Sequence, residues 1–127
     1  MRQLVPTAPG KILVAQSMAA TFVSPVIDTW QIDFVSWEGS YTGTPTGVFT
    51  IEGSNQYDRE NNPNAVFVPM PAPAPVFPVP AGAGGTFLVT SPSVCAGGGA
   101  GRYQRLRYTR SGGAGNMDLW VAGTGGS

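Results

Sequence analysis

The sequence predicts an all-β protein: an antiparallel β-sandwich or jelly roll with extended N-terminal and proline-rich arms. Three observations carry that expectation. No stretch of roughly eleven residues keeps a 3.6-residue apolar period free of Gly, Pro and β-branched interruptions. Short runs of alternating apolar and polar residues recur instead, as half-buried strands require. Between them stand clusters of Gly, Thr, Ser, Asn and Pro that turn the chain.

Residues 1–10 hold Pro6, Pro9 and Gly10 and read as an extended arm; residues 11–127 read as one β-sandwich domain. Lys11–Gln16 is a short apolar strand, and Phe22–Val26 leads into a turn at Ser24-Pro25, where proline removes a donor. Trp30–Trp37 alternates in two registers. Trp30, Ile32 and Phe34 are assigned to the core, because the other register would bury Asp33. Residues 38–47 are expected to turn, and Val48–Ser54 to follow with Phe49 and Ile51 inward, Thr50 and Glu52 outward.

Residues 55–63 form a polar loop. Seven prolines then fall within residues 63–80, which keeps that segment out of a central ladder and favours polyproline II. It stands, through residue 85, as an arm over a neighbouring subunit or as a loop packed along its own sandwich. Strands are expected at Thr86–Thr90, Arg102–Arg110 and Met117–Ala122. The last two should form a hairpin across a glycine-rich turn at 111–116, burying Leu106, Tyr108, Leu119 and Val121.

Composition narrows the function. Charged residues are only 11% of the chain and the formal net charge is zero, against about 25% charged in soluble domains. Such a surface fits one that faces other subunits, since interface cores lack Lys, Glu and Asp. It also fits a β-protein from a GC-rich genome. Zero net charge argues against nucleic acid, whose phosphates demand a basic surplus. No apolar run reaches the roughly 18–20 residues of a membrane span, and the first ten residues do not resemble a signal peptide. The expectation is a protein made in a cytoplasm that works without a membrane.

The chain has no histidine, so neither a Ser-His-Asp triad nor a His-ligated metal site is available. Cys95, the single cysteine, has no internal disulfide partner and no base to activate it. The carboxylates at 28, 33, 38, 52, 58, 60 and 118 form no paired motif, and no enzymatic activity or cofactor is expected. Asp58, Glu60, Asn61 and Asn62 offer oxygen ligands but lack the spacing of a calcium loop.

Trp37-Glu-Gly-Ser-Tyr-Thr-Gly-Thr-Pro-Thr-Gly-Val-Phe-Thr-Ile-Glu-Gly-Ser-Asn55, followed far downstream by Arg102-Tyr-Gln-Arg-Leu-Arg-Tyr-Thr-Arg110, resembles two related groups. One is the discoidin-like, galactose-binding-type β-sandwich, with its Gly-Ser-Asn strand end and late Arg-Leu-Arg strand. The other is a set of small tailed-phage virion proteins. The resemblance spans roughly residues 22–123 and implies a non-enzymatic capsid decoration (cement) protein, displayed as an oligomer on the head. Its partners would be the major capsid protein and neighbouring copies of itself. The alternative it leaves open is a carbohydrate-binding module or adhesin of a tail or fibre, with Tyr41, Tyr57 and Trp120 against sugar.

Candidate partner-binding residues follow from this. Leu4, Val5, Phe67, Met70, Val76 and Phe77 are large apolar side chains of the two arms and the expected anchors. Arg105 and Arg107 share the outer face of their strand and could clamp a phosphate, a sugar or a partner's carboxylate. Equally, they could pair across strands with Glu52, Asp33 or Asp118.

Overall fold

Alternation and turn chemistry produce strands throughout. A computed structural model describes residues 10–30, 32–69, 76–79, 84–92 and 101–124, and these hold strands but no helix. The strands are β1 (Gly10–Ser17), β2 (Phe22–Val23), β3 (Ile27–Asp28), β4 (Phe34–Gly43), β5 (Thr46–Ser54), β6 (Val68–Pro69), β7 (Val76–Val79), β8 (Gly85–Pro92), β9 (Tyr103–Gly112) and β10 (Gly115–Thr124). They form two antiparallel sheets. One runs β1-β10-β4-β8; the other runs β2-β9-β5-β6, with β3 also on β9 and β7 also on β5.

Both edges of the second sheet are interrupted strands. Phe22 lies opposite Tyr108 and Asp28 opposite Tyr103, so β2 and β3 are two pieces of one edge along β9. Pro25 breaks it, and the Ser24 hydroxyl takes up the slack by accepting from the Leu106 N–H at 2.9 Å. Likewise Val68 faces Gly53 and Val79 faces Gly47, placing β6 and β7 along β5. The proline-rich segment thus contributes Pro69 and Pro78 to a sheet edge, where a missing N–H does no harm.

One buried cluster fills the space between the sheets. Val35, Trp37, Tyr41, Met117, Leu119 and Val121 descend from one; Phe49, Ile51, Leu106 and Tyr108 rise from the other. Phe49 is the hub, with ring centroids at 4.7 Å from Phe87 and 5.2 Å from Tyr108. Each fully buried aliphatic side chain stabilises by about 1.5–3 kcal/mol. A polar thread crosses the same core. Trp37 Nε1 donates to Ser91 Oγ at 2.9 Å, Ser91 donates to Gln104 Oε1 at 2.7 Å, and Gln104 Nε2 donates to the Gly101 carbonyl at 3.1 Å. Among the described residues no buried side-chain nitrogen or oxygen is left without a partner.

The structure corrects four sequence expectations. Val35 and Trp37 face the core, while Trp30 and Phe34 are 42% and 46% exposed. The parity argument fails because β4 starts at Phe34. Ile32 and Asp33 lie before it in a bend closed by Ile32 N–H to the Thr29 carbonyl, and alternation does not carry through a bend. Ile32 is buried as expected. Second, β4 continues to Gly43, and only Thr44 and Pro45 separate it from β5.

Third, β9 and β10 form no hairpin: β9 pairs with β5, and β10 pairs with β1 and β4. Their connection, Gly113-Ala114, crosses between sheets and lies against the other crossing at Thr44-Pro45, with Thr44 N–H donating to the Ala114 carbonyl at 2.9 Å. Glycine serves close approach here. Gly113 sits at φ +68°, and a side chain on it would meet the Thr44 carbonyl oxygen. The burial expected of Leu106, Tyr108, Leu119 and Val121 nevertheless holds. Fourth, Glu52 lies on the outer face but is only 5% exposed, because side chains from neighbouring strands cover it.

Candidate functional site

The outer face of the six-stranded sheet carries a group of three charged side chains, Glu52, Arg105 and Arg107. Strand alternation puts Arg105 and Arg107 on that side of β9, since Leu106 and Tyr108 occupy the core side. Antiparallel register places Glu52 opposite Arg105 and Thr50 opposite Arg107. Glu52 then receives both guanidinium groups: Arg105 Nε donates to Oε1 at 2.9 Å and Arg107 Nε to Oε2 at 2.8 Å. Two cations on one carboxylate leave a surplus of one positive charge.

Phe67 packs on this group through Arg105. Its ring lies 4.1 Å from the Arg105 guanidinium and 5.8 Å from Tyr57, so Arg105 is held between a carboxylate and an aromatic face. The Arg105 side chain is 19% exposed and that of Arg107 is 35% exposed. Arg107 is therefore the cation that solvent, or an anionic group on a partner, can reach. Val23, opposite Arg107 on β2, adds an exposed apolar neighbour.

A second group stands at the end of the same sheet. Arg102 grips Asp28 with two hydrogen bonds, both 2.9 Å. Its guanidinium also lies 5.1 Å from the Trp30 ring and 5.0 Å from Tyr103. Tyr103 packs on Tyr57 at 5.4 Å. Beside them is a hollow of about 610 Å³, lined in part by Asp28, Tyr57, Asp58, Arg59, Glu60 and Tyr103. Asp58 has its own occupation. Its carboxylate accepts the N–H groups of Glu60 and Asn61 and the Asn61 side chain, and those bonds hold its pKa below the ordinary value. Among the described residues no three of His, Cys, Asp and Glu gather as metal ligands.

Of the residues singled out from sequence, Phe67, Arg105 and Arg107 come together on one face. Phe67 is buried against its own domain, 8% exposed. Val76 and Phe77 lie in β7 with their backbones opposite Thr50 and Phe49. Leu4, Val5 and Met70, like Cys95, lie outside the described residues. Tyr41 belongs to the core, and Trp120 lies under the Lys11 ammonium at 5.0 Å. The cross-strand alternative for the arginines holds for Glu52, while Asp118 pairs with Lys11 at 3.5 Å. The Arg102–Asp28–Trp30 group was not anticipated: its ion pair joins positions 74 apart with no local spacing to mark it. The chain matches no protein-family model and no curated protein sequence.

Proposed function

We propose that this chain is a non-enzymatic structural protein of a bacteriophage particle, a capsid decoration protein that binds the major capsid protein and neighbouring copies of itself. It would be made in the host cytoplasm and displayed on the capsid surface. The observation that carries this reading is the order of strand pairing. Counting each interrupted edge as one strand, the chain pairs first with last (β1 with β10), second with seventh (β2 and β3 with β9), third with sixth (β4 with β8) and fourth with fifth (β5 with β6 and β7). We read this order as a four-strand ribbon folded back on itself and rolled, the pattern expected of a jelly roll, an architecture of viral capsid and lectin domains. The charge-poor surface and the sequence resemblance agree with the capsid member of that pair. Fold alone decides no function.

In this reading Arg107 offers a partner carboxylate a charge-assisted contact, and the exposed apolar side chains around both sheets supply buried area. Affinity then comes from many copies acting together. The test is mass spectrometry on gradient-purified particles from cells producing the phage. The protein should co-migrate with capsid protein at high copy number. Its absence from particles, with the free protein present in the lysate, would overturn the reading.

One observation favours a second reading, a carbohydrate-binding module or adhesin. Trp30, Tyr57, Tyr103 and Arg102 meet at one end of the sandwich beside the 610 Å³ hollow, and aromatic faces next to Asp and Arg suit sugar rings. Glycan-array binding lost in Tyr57→Ala would favour it over the decoration role.

A further inference from the structure

Among the described residues, three of the four sheet edges are blunted. β1 carries register shifts after Lys11 and after Leu13, with Ala15 at φ +50°. The β2 and β3 edge is broken by Pro25, and the β6 and β7 edge carries Pro69 and Pro78. These are the devices by which natural sheets discourage pairing with another chain. β8 has none of them before its last residue, Pro92. It pairs with β4 without a shift from Gly85 to Pro92, contains no charged residue, and pairs on one side only among the described residues.

The parity of the hydrogen bonds tells which groups of β8 face outward. Thr44 N–H donates to the Ala114 carbonyl, continuing the β4–β10 ladder in which Asn116 faces Thr42. Bonds in an antiparallel ladder alternate, so even-numbered residues of β4 bond β10 and odd-numbered ones bond β8. Gly84 N–H on the Gly43 carbonyl agrees. Phe87 and Val89, opposite Gly39 and Trp37, therefore bond inward. Thr86, Leu88 and Thr90 turn their N–H and C=O groups away from the sheet.

We infer that β8 is a homotypic docking edge, at which a second copy of this chain adds its own β8 antiparallel about a two-fold axis through Leu88. The occupant is argued from self-complementarity. Thr86-Phe87-Leu88-Val89-Thr90 reads nearly the same in both directions. The register that pairs all three outward residues sets Thr86 against Thr90 of the second copy and Leu88 against Leu88. Thr–Thr and apolar cross-strand pairs are favourable, and no like charges oppose one another. Leu88, 69% exposed on its own, gains a partner. The nearest charge on that face, Glu38 opposite Leu88, would stand about 14 Å from its counterpart across three strand spacings, beyond the roughly 8 Å Debye length of physiological salt. The contact is isologous and closes as a dimer. It fuses the two β1-β10-β4-β8 sheets into one.

This deepens the self-association part of the proposed function and rests on it only there. The experiment is sedimentation velocity on the purified protein from low to high micromolar concentration. Wild type, Leu88→Lys, Leu88→Glu and an equimolar mixture of the two variants are compared. Leu88 is exposed, so both variants should keep the wild-type circular dichroism and melting temperature. Wild type should dimerise, each variant alone should weaken the dimer at least tenfold, and the mixture should regain it, because Lys then faces Glu across the two-fold axis. A monomeric wild type, a variant that dimerises unchanged, or a mixture with no recovery would each overturn the inference. Particle occupancy, measured separately, keeps the two readings apart. A monomeric protein still carried on particles would sink the β8 dimer and leave the decoration role standing.

Discussion

Glu52 is the residue whose loss should most disturb the outer face. In Glu52→Gln the side chain keeps its size, but two guanidinium groups that met at one carboxylate are left facing each other. Both contacts are charge-assisted, at 2.9 and 2.8 Å; the amide oxygen can accept only one of them, and without the charge, while hydrogen bonds to charged groups contribute roughly 1.5–3 kcal/mol each. Removing one member of a fully buried pair costs about 3–5 kcal/mol. The Arg107 side chain is 35% exposed, so solvent screens its share towards the 0–1 kcal/mol of surface pairs. Arg105, 19% exposed and under Phe67, keeps most of its contribution. The expected loss is about 2–3 kcal/mol, or a fall in Tm on the order of 10 °C for a domain of this size. Urea unfolding at neutral pH measures it. Because the new term is repulsion between cations, high salt should restore part of the loss. A loss under about 0.5 kcal/mol, or one indifferent to salt, would refute the claim that the carboxylate binds this face together.

Other outcomes follow from the same geometry. Ser91→Ala should cost about 1–3 kcal/mol by leaving the Trp37 indole N–H buried without its acceptor and removing the hydroxyl that donates to the Gln104 side-chain oxygen, read by denaturant unfolding followed through tryptophan fluorescence. Gly113→Ala should destabilise by at least about 1–2 kcal/mol, since φ +68° disfavours a side chain and the Thr44 carbonyl occupies its place; Ala114→Gly at the neighbouring position is the mild control. Asp118 has its pKa lowered, first by the Ala15 N–H and then by Lys11. A carboxylate depressed in the folded state contributes stability above its unfolded pKa, near 3.9. That contribution is lost as pH falls through the folded value. Asp118→Asn should therefore flatten the acid limb of the stability profile below about pH 4, as seen in urea midpoints taken across that range.

The fold class was legible because period-two alternation survives wherever a strand has one wet face, as in β5 and β9. What escaped was partnership. Residues 102–122 look like a hairpin locally, yet the glycines between the strands serve a crossing whose other half lies at Thr44-Pro45, far away in sequence. Trp37 was placed outside because Asp33 was counted in its strand, and nothing local marks Phe34 as the first strand residue. The face bearing Arg105 and Arg107 followed from alternation alone, with Glu52 already among their candidate partners. Its burial did not follow, since Phe67 packs on the neighbouring Arg105 from a segment whose prolines suggested an arm. The β8 edge leaves no trace in any local motif, because an edge belongs to a sheet and not to a residue.

First-with-last pairing also sets a timetable. Among the described residues β1 finds its one strand partner in β10, and Ala15 bonds Asp118, 103 positions later. At roughly 5–20 residues per second, a ribosome needs about 5–20 s to make that span, and throughout it the apolar side of β1 has nowhere to dock. β4 waits as well, flanked by β8 alone until β10 slots between it and β1. One strand thus closes the first sheet, and a nascent chain lacking it would hold two unfinished edges. Chaperone or nascent-chain capture should peak in that interval and end abruptly when Gly115–Thr124 emerges. Loop closure of this length also slows folding, so newly made protein would reach assembly competence only after synthesis has passed β10.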